Sequence, residues 1–373
     1  MIDDFIIVGG GLIGLLTARE LRASGARVTV IDRGLCGGEA SWAGGGILSP
    51  LYPWRYPQPV TALAQWGQQA YPYLAEALTE EAGIDAEWTP SGMLILAVSA
   101  AECVLARRWA EHHQQRIEWP TGAQIAALEP ALADAESPSS QTALWMPEVA
   151  QIRSPRLLRA LRVSLIQQGV RVLEGLAVRQ MLRDARRVVG VLTDAGAQHA
   201  GAVVIAGGAW SAALLKPLGI TLPLAPVRGQ IILFRASPAL LTRMVMRDHR
   251  YLIPRRDGRI LAGSTLEHVG FDPAITPAAA TRLQRAALQL LPELEDFPIE
   301  QQWSGLRPGT ISGVPFIGAH PDVAGLYVCA GHHRNGIVLA PASARLLADL
   351  ALVRAPIVAA APYGLPATAA CLS

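Results

Sequence analysis

"FIIVGGGLIGLLTARELRASGARVTVIDR" (residues 5–33) is the stretch on which the fold turns. It begins as an apolar strand, bends through glycines, continues with apolar residues at helical spacing, and ends in a second β-branched run before Asp32. Gly9, Gly11 and Gly14 have the spacing of a dinucleotide turn. The first allows the tight bend, the second lets pyrophosphate approach the backbone, and the third lets the helix pack closely on the strand. The helix N-terminus adds unpaired N–H groups aimed at the anion. Asp32 closes the second strand, where its carboxylate can reach an adenosine ribose. A glycine pattern alone could be a structural turn. With the strand before it, the helix after it and the acid at the end, it predicts a nucleotide-binding unit, but does not choose FAD over NAD.

The whole chain has 373 residues, 51% hydrophobic and 17% charged, enough to bury a substantial core divided between two lobes. Its 32 basic and 30 acidic residues leave a charge of +2. The basic pair Arg186 and Arg187 is too short for a phosphate footprint, so no nucleic-acid partner is expected. The acidic residues of 76–87 alternate with apolar ones and read as a solvated face. Cys36, Cys103, Cys329 and Cys371 lack close paired spacing, which favours reduced thiols in the cytoplasm. His332 and His333 are adjacent with no clear third ligand, so no metal is expected. "FIIVGGGLIGLL" is too short and too rich in glycine to span a bilayer, and it lacks a secretory leader pattern. The expectation is a cytoplasmic homo-oligomer without integral membrane association.

After the opening unit, "GGEASWAGGGILSP" (37–50) places Ser41 as a donor to phosphate or a flavin edge, and Gly44 to Gly46 where backbone can approach a bulky ring. Helical composition follows over 60–83, with Pro72 interrupting or starting a segment. Strand and turn signals cover 85–98, helix 101–116, and a mixed connector 118–150. Pro155 starts a helix that Gly169 stops, and strands then run to Gly207 and Gly208. Short strands fill 221–264 and a helix covers 276–291. The fold class expected is α/β: a Rossmann-like nucleotide domain (1–84, 150–219, 303–373) interleaved with a strand-rich α+β substrate domain (85–149, 220–302). "GLRPGT" (305–310) reads as a turn, with Pro308 restricting Arg307 and glycines on both sides.

"AGGAWS" (206–211), "RYLIPR" (250–255), "GLRPGT" and "GHHRNGIVLAP" (331–341) join the opening unit to give a more specific pattern. Together they resemble the flavin-dependent amine and D-amino-acid oxidase superfamily, most closely the bacterial glycine oxidases associated with thiamine synthesis. The resemblance covers essentially the whole chain. It implies an FAD-binding domain and oxidation of glycine or another small amine by hydride transfer to flavin. Molecular oxygen would reoxidise the flavin to give hydrogen peroxide, and the imine would hydrolyse to glyoxylate and ammonia.

The resemblance also assigns residues. Arg307 would clamp the substrate carboxylate, Tyr251 would donate to it, and Arg334 would contact substrate or shape the flavin end of the pocket. The cofactor set it implies begins with Gly9, Gly11, Gly14, Asp32, Arg33 and Ser41, continues with Gly45, Gly46, Val178, Gly207 and Trp210, and ends with Gly331, Arg334, Asn335, Gly336 and Ile337. The helix after Gly336 would point its positive end at the flavin's oxygen-bearing edge. His249 either tunes the pocket or is an ordinary turn histidine. Leu266 stands where some glycine oxidases carry methionine, which bears on tolerance for sarcosine and small D-amino acids. "GLRPGTISGVPFIG" contains no cysteine to tether the cofactor, so FAD is expected to be noncovalent. A quinone-linked D-amino-acid dehydrogenase and a noncatalytic FAD-binding protein remain the alternatives.

Overall fold

A computed structural model describes residues 2–132 and 142–366; Cys371 and part of the expected 118–150 connector lie outside the described residues. The opening motif forms the strand Asp3–Val8, the helix Leu12–Ala23 and the strand Val28–Ile31, the two strands pairing in parallel from Phe5↔Val28 to Val8↔Ile31. On its other side Asp3–Val8 pairs in parallel with Gly196–Ile205. The sheet runs Phe316–Ala319, Leu326–Ala330, Gly196–Ile205, Asp3–Val8, Val28–Ile31, Arg171–Leu173, with the hairpin Val178–Asp184 and Arg187–Thr193 joined to Gly196–Ile205. Distant parts of the chain therefore build one sheet.

Its central strand is apolar on both faces because both are covered. Phe5 and Ile7 pack under the helices Leu12–Ala23, Gln58–Ala82, Ser154–Gln167 and Gly336–Ala351. Ile6 and Val8 pack against Met181, Val188 and Val191 of the hairpin. Gln58–Ala82 is one helix with Pro72 inside it, so the expected interruption does not occur. Val60 and Leu63 before the proline and Tyr71 and Leu78 around it bury in the same core, and that packing keeps the segment helical despite the lost backbone bond. Among the described residues no helix is long and apolar enough to cross a membrane.

The second sheet runs Ile299–Thr310, Leu224–Arg235, Arg259–Gly263, Arg250–Pro254, Met244–Arg247, Met93–Val98, Thr142–Met146. It is antiparallel except where Met93–Val98 meets Met244–Arg247. Ile232, Phe234 and Leu252 face the helix Pro277–Leu290. Ile231, Tyr251 and Ile253 face the other way, towards Tyr52 and Trp54. Period-two alternation thus selects which side chains can reach the cleft between the sheets.

The expected turn at "GLRPGT" is instead strand, with Arg307 opposite Val227 and Pro308 opposite Pro226. Two opposed prolines can share an antiparallel ladder only as a pair that exchanges no N–H bonds. Ile299–Thr310 is an edge strand, where proline is tolerated. Gly305 and Gly309 serve contact rather than turning: a Cβ would stand 2.6 Å from the Ala43 Cβ and 2.8 Å from the Val227 Cγ2, respectively. The expected segment boundary at 302/303 falls inside this strand.

Candidate active site

A cleft of about 410 Å³ opens where the glycine turn of the first sheet faces the strand carrying Arg307. Gly9, Gly11, Asp32, Arg33 and Ser41 line one end, Val178, Gly207 and Trp210 continue the wall, and Arg334, Gly336 and Ile337 line the other end. Gly9 has φ +110°, and a Cβ there would meet the Ala206 carbonyl oxygen at 2.4 Å. Gly14 lies behind the lining; its missing Cβ would be 1.9 Å from the Gly9 carbonyl oxygen, so it serves the close helix–strand contact.

The polar groups of the turn are already organised. Asp32 accepts from Gly10 N at 2.7 Å and Gly34 N at 2.8 Å. Ser41 Oγ accepts from Leu12 N at 2.9 Å, fastening the 37–50 loop to the helix N-terminus while its own hydrogen remains available to donate. The Arg33 guanidinium lies 3.8 Å above the Trp210 ring and pairs with Glu39 at 2.9 Å. Phe271, between the strand Arg259–Gly263 and the helix Pro277–Leu290, rests on Trp210 with ring centroids 5.5 Å apart.

Five expected cofactor residues do not line the cleft: Gly14, Gly45, Gly46, Gly331 and Asn335. Gly331 turns at φ +90° under Thr310, whose Oγ1 donates to its carbonyl at 3.3 Å. Asn335 is buried at the start of the last helix, with Nδ2 unpartnered among the described residues. Their neighbours His332 and His333 do line it, and both have an unpartnered Nε2. Burial pushes the His332 imidazole down to about 3. Burial, then the charges of Arg307 and Arg334, lowers His333 to about 4. Both rings are neutral at physiological pH.

A smaller cavity of about 80 Å³ adjoins the cleft, sharing Gly44, Arg307, Arg334 and Ile337 with it. Arg307 Nη1 donates to the Thr265 carbonyl at 3.1 Å and Nη2 to Ser264 Oγ at 2.9 Å. Neither partner is a carboxylate, and a guanidinium has further donors to offer. Burial lowers its pKa to about 10, so the cation persists at neutral pH. Arg334 has no ion-pair partner among the described residues. Two arginines thus face a small cavity with unspent charge, which suits an anion.

Tyr251 is buried between glycines. A Cβ on Gly45 would stand 3.4 Å from its Oη, and one on Gly263 would stand 2.7 Å from it. Gly45 and Gly46 line this smaller cavity rather than the cleft. His249 occupies a left-handed turn position (φ 61°), with Nε2 3.1 Å from Arg55 Nη1. Desolvation and then Arg55 lower its pKa, and it lines neither cavity. Leu266 is 45% exposed and also lines neither. Gly229, Ile231, Ser264 and Gly305 line the smaller cavity and were not singled out as site residues from sequence. The glycine interrupting the apolar run "VRGQIILF" was the available signal.

The lining fits a flavin dinucleotide: a turn that excludes Cβ atoms, an arginine-backed indole, and unpartnered imidazoles along the wall. The model of the FAD dependent oxidoreductase family matches residues 4–350. The chain belongs to this family. FAD is accordingly its cofactor. Within the family the chain is 49% identical over 364 residues to a glycine oxidase of Pseudomonas aeruginosa, covering 97% of this chain and 98% of that protein. It is 33% identical over 353 residues to the bifunctional protein ThiO/ThiG of Trichormus variabilis, covering 94% of this chain and 52% of that one. The crystal structure of glycine oxidase from Geobacillus kaustophilus matches the fold with a TM-score of 0.91 and 32% identity, covering 98% of each chain.

Proposed function

We propose that this protein oxidises glycine to glyoxylate and ammonia, passes the electrons to oxygen to give hydrogen peroxide, and thereby supplies thiamine biosynthesis. The observation that carries this reading is the pairing of Arg307 and Tyr251 in a cavity of about 80 Å³ that opens on the cofactor cleft. The names of the glycine oxidase relatives support the same substrate.

Arg307 offers a planar pair of donors to the two carboxylate oxygens, and the Tyr251 phenol donates to the same group. The cavity's volume of about 80 Å³ favours glycine over larger amino acids. Positive charge on Arg307 and Arg334 disfavours a protonated amine, so the substrate is held with its nitrogen lone pair free. FAD, when bound, supplies the hydride acceptor. Glycine gives up the α-hydride and an amine proton, and water then converts the resulting imine to glyoxylate and ammonia. Cys329 lines the cleft, but burial raises its thiol pKa far above the ordinary range, which supports noncovalent FAD.

Adding glycine without oxygen should bleach the flavin absorbance, and admitting oxygen should restore it with release of peroxide. If none of glycine, sarcosine, D-alanine and D-proline bleaches the bound flavin, the reading fails. Reoxidation only by a quinone would replace oxygen as the acceptor.

A further inference from the structure

Gly229 sits within the strand Leu224–Arg235, directly opposite Gly305 on the neighbouring strand. Its φ lies outside the left-handed region, so its backbone is one that any residue adopts. Glycine in a strand interior costs stability, and here no turn or bulge requires it. The reason lies in the space above it. A Cβ on Gly229 would stand 2.0 Å from Arg307 Nη2, 2.2 Å from Cζ and 2.2 Å from Nη1. The Nη1–Cζ–Nη2 end of the guanidinium therefore occupies the space that a side chain here would fill. At its edge the same group is held in plane, Nη2 donating to Ser264 Oγ and Nη1 to the Thr265 carbonyl.

We propose that Gly229 is a positioning residue for substrate recognition: it sets the plane of the Arg307 guanidinium so that its free donors meet a carboxylate in the small cavity. This rests on the reading that Arg307 binds the substrate's carboxylate. The group that must yield to a methyl at 229 is the far end of a side chain, not the backbone. Gly229→Ala therefore leaves the sheet and the cofactor cleft in place while it lifts the guanidinium away from Ser264 and Thr265.

The test uses the FAD-loaded protein and four forms: wild type, Gly229→Ala, Arg307→Lys and the double variant. Acetate, a carboxylate without an oxidisable amine, is titrated by its effect on the flavin absorbance, and glycine kinetics are measured alongside. Gly229→Ala should retain FAD and melt near the wild-type temperature, while the acetate dissociation constant and the KM for glycine rise about tenfold or more and kcat falls less. In the Arg307→Lys background, where no planar group lies over residue 229, the same change should cost less than about twofold. Wild-type acetate binding in Gly229→Ala overturns the proposal, as does an equal cost in both backgrounds. Should Gly229→Ala lose FAD or fail to fold, recovery in the double variant supports the clash with Arg307, and persistent failure overturns it. If glycine fails to bleach the wild-type flavin but acetate binding still shows this coupling, the substrate reading falls and the role of Gly229 stands.

Discussion

Arg255 Nη2 donates to the Gly45 carbonyl at 2.8 Å, so a buried guanidinium just past the strand Arg250–Pro254 holds the glycine wall beside which Tyr251 packs. Arg255 also donates to Gln151 Oε1 at 2.7 Å and to the Ile152 carbonyl at 3.3 Å. Desolvation, followed by the neighbouring Arg153 charge, lowers its pKa to about 10. Arg255→Met strands those acceptors and should destabilise the FAD-loaded protein by about 2–3 kcal/mol. Urea melts measure the loss, and KM for glycine should rise with it. A change under about 0.5 kcal/mol would count against this role.

Arg307→Lys keeps a cation but loses the planar fork. A fall of about hundredfold in kcat/KM for glycine is expected, with FAD affinity changed less than about threefold. Tyr251→Phe keeps the packing between Gly45 and Gly263 and removes the phenol, so acetate affinity should fall about tenfold. Unaltered acetate binding would remove Tyr251 from the carboxylate site.

Phe271 supports Trp210 from one side while Arg33 covers the same indole. Phe271→Ala should raise the dissociation constant for FAD about fivefold, equivalent to about 1 kcal/mol. Fluorescence titration of the apoprotein with FAD reads this directly. Glycine kinetics at saturating FAD should stay close to wild type.

His332 and His333 make stability fall in mild acid. Their folded pKa values, about 3 and about 4, lie below the ordinary value of 6.5. Below pH 6.5 the unfolded chain therefore binds protons that the native state refuses. The stability is complete above pH 6.5 and is lost progressively as pH falls towards the folded values. At pH 5.0 the loss due to the fully buried His332 should be about 2 kcal/mol, and that due to the half-buried His333 less. Urea melts of the holoenzyme at pH 7.5, 6.0 and 5.0 should show this slope, and His332→Asn should flatten it.

The opening unit was legible because strand, helix and glycine spacing agree locally, and Arg307 and Tyr251, each singled out from a short motif, line one cavity. The strand character of "GLRPGT" was not. Its local composition signals a turn, and only the opposing Pro226, distant in sequence, shows how a proline fits that ladder. Gly229 and Arg255 were hidden for a related reason. One acts by having no side chain under Arg307 and shows only as a glycine interrupting an apolar run, and the other acts through carbonyls of Gly45 and Ile152, which leave no residue-type signature. Pro72 misled because its helix is held by a core assembled from several distant segments.

Pro308 also bears on what the outer edge of its strand can pair with. The strand Ile299–Thr310 lies at the border of its sheet, where a row of unspent main-chain donors and acceptors would template a foreign strand. At Pro308 that row is blank: proline has no N–H, and its carbonyl already accepts from His333 N at 2.9 Å. An invading strand would find its zipper blocked one residue from Arg307. The backbone beside Arg307 thus offers no free ladder position at 308.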